Sequence, residues 1–178
     1  MTFKDYYNSD VKKKLKAALG LKNIMEVPAV KKIVVNVGAG EAVVNKNVLD
    51  KILEQIGLIT GQKAVITKAR QSISAFKIRR GLPIGVKVTL RDKKMYSFLE
   101  KLVKVVIPRL RDFKGISDHS IDPSGNLNLG FTEQTIFPEI DFDKIDKIRG
   151  LEVSIVTNAR NKEKGKKLFE LLGIPFKK

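Results

Sequence analysis

The chain has 178 residues, of which 35 are Lys or Arg and 19 are Asp or Glu, for a formal net charge of +16. It contains no cysteine, which excludes disulfides and thiolate metal sites and suits a reducing compartment such as the cytoplasm. No run approaches the roughly 18 apolar residues of a membrane span, the opening ten residues lack the apolar core of a signal peptide, and the length suits a single domain, 1–178, with a real core.

Phe3, Tyr7, Val11, Leu15 and Leu19 recur every fourth residue, and Gly20 follows where a helix would end. This spacing predicts a docking helix. Its other face carries Lys12, Lys13, Lys14 and Lys16, for which a solvated surface and a nucleic-acid contact stand as equal alternatives. From Lys32 to Val37 the odd positions are uniformly apolar while Lys32, Val34 and Asn36 share the other face, the pattern of a half-buried strand. Asn45 is placed to cap a helix with one apolar stripe, Val48, Leu49, Ile52, Leu53, Ile56 and Ile59. A strand from Lys63 to Thr67 should follow.

Residues 69–84 keep neither strand nor helix period, and Gly81, Pro83 and Gly85 punctuate the exit, so a long basic loop is expected. Loops beyond about 12 residues in a compact domain are usually functional or disordered. Val86, Val88 and Leu90 then alternate with Lys87, Thr89 and Arg91, giving a strand with one apolar and one basic face. Asp92 is the expected cap of a helix that buries Met95, Phe98, Leu99, Leu102, Val103 and Val106 and is ended or kinked at Pro108. Asp122-Pro123-Ser124-Gly125-Asn126 is turn chemistry for a hairpin. Leu151, Val153, Ile155 and Thr157 mark a last strand, and Asn161 opens a final helix closing at Gly173. Helices segregated over a largely antiparallel sheet make a two-layer α+β sandwich, with the helices on one face.

The charge is uneven. Residues 1–91 hold 18 basic and 6 acidic side chains, against 17 and 13 in residues 92–178. Between Glu54 and Asp92 no acid interrupts Lys63, Lys68, Arg70, Lys77, Arg79, Arg80, Lys87 and Arg91. Such a cluster repels itself, so it implies a polyanionic partner, with a phosphate backbone the leading candidate. From Asp112 to Asp143 the sign reverses, with seven acids against Lys114. Three neutral residues stand out on the basic strands: Asn36, Gln62 and Thr89. Each both donates and accepts hydrogen bonds, as reading base edges or ribose hydroxyls requires. With Lys32, Lys63, Lys87 and Arg91 they would form an open platform, cations neutralising phosphates and neutral groups setting register. Phe76 is the one aromatic in that region's loop, so helical RNA read by shape is favoured over stacked single strands.

Catalysis has little to stand on. Gly38-Ala39-Gly40 lacks the third glycine of a dinucleotide turn, and Leu58 and Ile59 stand where an acid would hold a ribose. His119 is the single histidine, and no nucleophile or zinc cluster is visible. No cofactor or metal is expected. The alternatives to an RNA-binding structural protein are an RNA-modifying or RNA-cleaving enzyme and a binder of anionic membranes.

The blocks VPAVKKIVVNVGAGEA, TKARQSISAFKIRRGLPIGVKVTLR, PSGNLNLGFTEQTIFPEI and LEVSIVTNAR, ending in LLGIPF, closely resemble the bacterial large-subunit ribosomal protein five family over essentially the whole chain. The resemblance implies a non-enzymatic ribosomal component of the central protuberance, with 5S and 23S ribosomal RNA and neighbouring large-subunit proteins as partners. It implies that the face bearing Asn36, Gln62 and Thr89 docks on 5S RNA. It also implies that a loop from about Gln71 to Pro83, with Ser72, Ser74, Phe76, Lys77, Arg79 and Arg80, reaches peptidyl-site transfer RNA. The family bridges to a basic small-subunit protein, for which Asp112, Asp118 and Asp122 have the right sign.

Overall fold

The computed structural model describes residues 2–45, 47–110, 114–141 and 145–177. Asp112 and Asp143 of the acidic segment lie outside the described residues. Five strands form one antiparallel sheet in an α+β fold: β1 Val30–Gly38, β2 Val65–Lys68, β3 Pro83–Leu90, β4 Leu127–Phe131 and β5 Leu151–Thr157. Their spatial order is β2-β3-β1-β5-β4. The helices among the described residues are α1 (residues 3–18), α2 (Asn47–Thr60), α3 (residues 92–109) and α4 (Lys162–Leu171), with short 3-10 turns between. The element order therefore matches the one expected from periodicity.

Two compact units make up the chain, one of residues 1–33, 91–129 and 154–178, the other of residues 34–90 and 130–153. In the first, α1 packs on α3 and α4. It starts with a reciprocal cap, the Thr2 hydroxyl accepting from the Asp5 N–H and the Asp5 carboxylate accepting from the Thr2 N–H. It stops in a Schellman arrangement, with Leu21 N–H donating to the Lys16 carbonyl and Gly20, at φ 61°, donating to that of Ala17. Phe3, Tyr7, Val11 and Leu15 are buried, while Leu19 is half-exposed. A spacing of four overshoots the 3.6-residue turn, so a regular helix would carry such a stripe out of register by about 40° per step. The chain corrects this with a wider π turn over Tyr7–Val11. The same device recurs in α3, where the π turn spans Leu102–Val106, again between buried residues four apart. Buried Tyr7 donates its hydroxyl to the Pro28 carbonyl at 2.8 Å, and burial pushes this phenol well above its usual range.

One local expectation is corrected here. Arg91, not Asp92, occupies the cap position of α3, and Asp92 is the first helical residue with a φ of 48°. Pro108 lies in the last turn, and the helix ends one residue after it, at Arg109, with a cap at Leu110, as expected of a helix ended at this proline. The final helix behaves as expected, with the Asn161 side chain accepting from the Glu163 N–H at 2.8 Å.

In the second unit, α2 lays Val48, Leu49, Ile52, Ile56 and Ile59 against β2 and β3. Val35, Val37, Val86, Val88 and Leu90 are buried from the sheet side. Each such side chain contributes about 1.5–3 kcal/mol through apolar burial. The strand β2 begins at Val65 rather than Lys63, and β3 begins at Pro83, three residues ahead of the alternation that predicts it. Pro lacks an N–H to donate, so the first position of a strand suits it.

A polar cluster joins Gln134 and residues 146–149 to Glu41 and Lys51. Buried Gln134 accepts from the Arg149 N–H and donates its amide to the Lys147 carbonyl at 3.0 Å. Arg149, only 8% exposed, places its guanidinium 2.6 Å from Glu41 and 2.8 Å from Asp146. Lys147 also reaches Glu41, and Lys51 reaches Asp146. The Arg149 guanidinium holds both carboxyls below their ordinary values, Asp146 far below. Removing one member of a buried pair typically costs about 3–5 kcal/mol, but both acids are part-exposed and screened.

Arg149→Ala should therefore lower stability at pH 7 by about 2–3 kcal/mol. The two carboxyls are depressed in the fold, so their contribution is present above their unfolded pKa values of 4.5 and 3.8 and fades as pH falls through the lower folded values. Urea titrations of parent and variant should converge with acidification. A stability gap that stays constant from pH 7 down to pH ~2.5 would remove the network from this role.

Candidate nucleic-acid interface

Strand alternation sorts the second unit's sheet into two faces, and α2 takes one of them. On the other face β3 presents exposed Lys87 and half-exposed Thr89, and the adjacent β1 presents half-exposed Val34 and Asn36. Antiparallel register pairs Val65 with Lys87 and Thr67 with Gly85, so these residues share that face. The side chains of Asn36 and Thr89 have no hydrogen-bond partner among the described residues. Their donors and acceptors remain available.

Gln62 is different. Its amide Nε2 donates to the Thr89 carbonyl at 3.0 Å, which ties the segment after α2 to the end of β3. One of its two amide donors is thus committed inside the protein, and the second N–H and the side-chain oxygen have no partner among the described residues. Lys63 follows it directly and is exposed. The second unit thus brings together Asn36, Gln62, Lys63, Lys87 and Thr89. Lys32, half-buried on β1, and exposed Arg91 at the head of α3 belong to the first unit.

Gly85 sits at the centre of this face. A Cβ there would lie 2.8 Å from the Thr67 hydroxyl and 2.8 Å from the Val37 carbonyl oxygen. Glycine lets the three strands approach closely and leaves the surface low between the cations.

Lys63, Lys68, Arg70, Lys77, Arg79, Arg80, Lys87 and Arg91 form no ion pair among the described residues. Glu41, the acid that follows β1, is held by Arg149 and Lys147.

Residues 69–82 are exposed over most of their length but internally bonded. Ile73 and Ile78 exchange both backbone hydrogen bonds, at 2.9 and 3.1 Å, around a turn at Ser74–Phe76. Lys77 takes the left-handed φ of 55° that lets this turn close. Ala69 donates to Leu82, Gly81 donates to Ala69, and the Ser72 hydroxyl accepts from the Arg80 N–H. The expected loop is therefore a small closed hairpin. It presents Phe76, 69% exposed, with Ser74, Lys77, Arg79 and Arg80 also exposed.

Two acids of the opposite-sign segment, Asp118 and Asp122, are engaged within the first unit. Asp118 lies 2.7 Å from Lys166, whose ammonium holds its carboxyl below the usual range. Asp122 accepts from the Asn126 N–H and side-chain amide, both at 2.8 Å, closing the expected turn. Asp112 lies outside the described residues. No cluster of three or more His, Asp or Glu able to hold a metal occurs among the described residues.

Sequence reasoning missed Arg149 and Gln134. Nothing local marks them, because Arg149 meets Glu41 across 108 positions of chain.

Two family profiles match in tandem. One is described as "Ribosomal protein L5" and covers residues 23–79, and the other describes the C-terminus of the same ribosomal family and covers residues 83–176. The chain is 54% identical over 174 residues to "Large ribosomal subunit protein uL5" of Trichlorobacter lovleyi, covering 98% of this chain and 97% of the relative. Proteins of the same description are 53% identical in Geotalea daltonii, with 97% of each chain covered, and in Thermoanaerobacter sp., with 98% of each covered.

Gly85→Ala tests the close approach. Overpacking against backbone should cost about 1–3 kcal/mol in urea unfolding. Adding Thr67→Ala should restore only part of it, because the Val37 carbonyl cannot retract. Full recovery in the double variant would show that the backbone contact does not matter.

Proposed function

Since the chain belongs to the ribosomal protein L5 family, a structural family of the large ribosomal subunit in the cytoplasm rather than an enzyme family, we propose that its strand face docks on 5S ribosomal RNA. The observation that carries this reading is a set of unpaired cations interleaved with unpartnered neutral hydrogen-bonding groups on one half-exposed pleated face. Lysines there would neutralise phosphates, which gives affinity without sequence information, while Asn36, Thr89 and the free oxygen of Gln62 would fix register. Rigid strands suit a contact that is permanent. Lys32 and Arg91 are assigned to the same RNA as charge contributors.

The closed hairpin of residues 69–82 is assigned to peptidyl-site transfer RNA. That partner must leave at each translocation, and phosphate attraction from Lys77, Arg79 and Arg80 is non-specific and readily reversed. Ser72, whose hydroxyl braces the Arg80 backbone, acts on this contact by holding the hairpin's shape. Ser74 and Phe76 stand at its tip. Contacts with 23S RNA and neighbouring large-subunit proteins complete the environment. The acidic segment is assigned to a basic small-subunit protein on its sign alone, since Asp118 and Asp122 are bound inward by Lys166 and Asn126.

Binding to 5S RNA and to an equal-length RNA duplex, each at graded salt, separates this reading from a general polyanion binder. With about five to seven phosphates neutralised, log affinity for 5S should fall against log salt with a slope of roughly −4 to −6. Lys87→Ala should reduce that slope by about one unit, whereas Asn36→Ala should cost about 1–3 kcal/mol at nearly constant slope. Equal affinity for the two RNAs would sink the proposal. Replacing Lys77, Arg79 and Arg80 together with Ala should spare 5S binding and weaken peptidyl-site transfer RNA on assembled ribosomes. Loss of 5S affinity in that variant would make the two surfaces one.

A further inference from the structure

Within the first unit a hollow of about 360 Å³ opens to solvent where the start of α1, the middle of α3 and the end of α4 meet. None of its lining residues is among those assigned to RNA. Close-packed interiors rarely hold voids larger than a water molecule, whereas pockets for small organic molecules run from about 300 to 1,000 Å³. The hollow is therefore large enough for a ligand.

Its walls come from the way the three helices begin, widen and end. Val103 and Lys104 lie in the π turn of α3, and such turns spread side chains apart and recur at functional sites. The helix α4 stops at Leu171, and Gly173 takes a φ of 91°, from which a Cβ would come within 3.3 Å of a Val103 methyl. Glycine leaves that space open. Phe3, Tyr6, Val103 and Leu172 supply the apolar lining, with the Phe3 and Tyr6 rings 5.8 Å apart and tilted by 42°. A third ring packs well against a tilted aromatic pair.

The polar groups are few and stand together. Lys104 and Glu100 meet at 2.6 Å, with side chains 62% and 35% exposed. Exposed pairs of this kind contribute little, so they re-pair readily with a ligand that carries both charges. The Tyr6 hydroxyl reaches the Leu171 carbonyl only at 3.4 Å, beyond the roughly 2.5–3.0 Å of a well-formed bond, and so retains donor capacity. A hydrocarbon in this hollow would cover the charged pair without a partner for it. An aromatic acid would set its carboxylate beside Glu100, and an aromatic amine would set its ammonium beside Lys104. A molecule with an apolar body and both charges on one carbon avoids all three penalties.

We propose that this hollow binds a free α-amino acid with an aromatic side chain. The ring lies against Phe3, Tyr6, Val103 and Leu172, the ammonium pairs with Glu100, and the carboxylate accepts from Lys104 and the Tyr6 hydroxyl.

The test is an NMR titration of the full-length chain with L-tryptophan. The chain contains no tryptophan, so saturation transferred to indole protons reports the ligand alone. Backbone amides at residues 2–6 and 100–104 should shift, with half-saturation at about 1 mM or below for a ligand of this size. Tryptamine, which lacks the carboxylate, and indole-3-propionate, which lacks the ammonium, should each bind about three- to fivefold more weakly. Lys104→Ala should weaken L-tryptophan by a similar factor without weakening tryptamine, and Glu100→Ala should do so without weakening indole-3-propionate. Val103→Phe fills the hollow and should abolish binding; should that variant not fold, the Lys104 and Glu100 variants carry the test, since both side chains are partly exposed. Shifts confined to other residues, equal affinity for the three ligands, or no saturation by about 10 mM L-tryptophan would overturn the proposal. No RNA enters these measurements, so they stand or fall apart from the strand-face reading.

Discussion

One guanidinium, that of Arg149, sets the charge pattern of the second unit. It takes two carboxylates, Glu41 and Asp146, while Lys147 and Lys51 reach the same two acids. Three positive groups thereby gather around two negative ones, and those acids are no longer available to neutralise the strand cations. Because Arg149 is buried and its backbone N–H is held by Gln134, the arrangement is fixed by packing and does not relax when solvent conditions change modestly. The strand face and the hairpin remain uncompensated as a result. A surface in that state carries a standing repulsion that only an external anion relieves, so affinity for polyanions follows from how the fold distributes its own acids.

The helical unit solves a different problem. Its sequence repeats apolar residues at strict fours in α1, a spacing that no regular helix keeps on one side, and α3 sets buried Leu102 and Val106 four apart. Placing a π turn from Tyr7 to Val11 and another from Leu102 to Val106 returns the stripe to the core at the cost of poorer local hydrogen-bond geometry. The alternative, a straight helix, would rotate Leu15 or Val106 toward solvent and expose large apolar groups worth about 1.5–3 kcal/mol each. Packing outweighs backbone regularity, and the lysines between the apolar positions are fixed outward as a consequence.

Much of this was readable in the residues. Alternation in β1 and β3 gave both strands and both faces, since a period of two leaves one assignment of inside and outside. The helix stripes, the Asn45 and Asn161 caps and the turn at Asp122–Asn126 were likewise local and hence legible. What the residues hid was tertiary. The donation from Gln62 to Thr89 joins positions 27 apart, and the Arg149 network spans more than a hundred, so neither leaves a local trace. Asp92 misled because carboxylates favour cap positions in general, whereas here the chain enters α3 one residue earlier. The charge halves misled too. A count along the chain assigns the excess to residues 1–91, but folding collects residues 91–129 and 154–178 with α1 and moves most of the positive charge to the helical unit.

Residues 69–82 are ordered by their own hydrogen bonds, and that order bears on how a partner would be bound. An open loop of that length would lose backbone freedom on meeting a partner, at about 1–2 kcal/mol per residue fixed, and would bind weakly for that reason. The pairing of Ile73 with Ile78, the Ser72 brace and the left-handed Lys77 remove much of that freedom beforehand. Association with an RNA would then need little ordering, and the remaining attraction would be to phosphate charge, which is sensitive to salt and indifferent to sequence. A preorganised but chemically unselective tip would therefore engage a polyanion quickly and release it without unfolding. The strand face carries neutral hydrogen-bonding groups among its cations, which under the proposed function would hold one RNA in one register. On that reading the same two ingredients, cations and backbone order, would give a permanent contact or a passing one according to whether neutral hydrogen-bonding side chains stand among the charges on rigid strands.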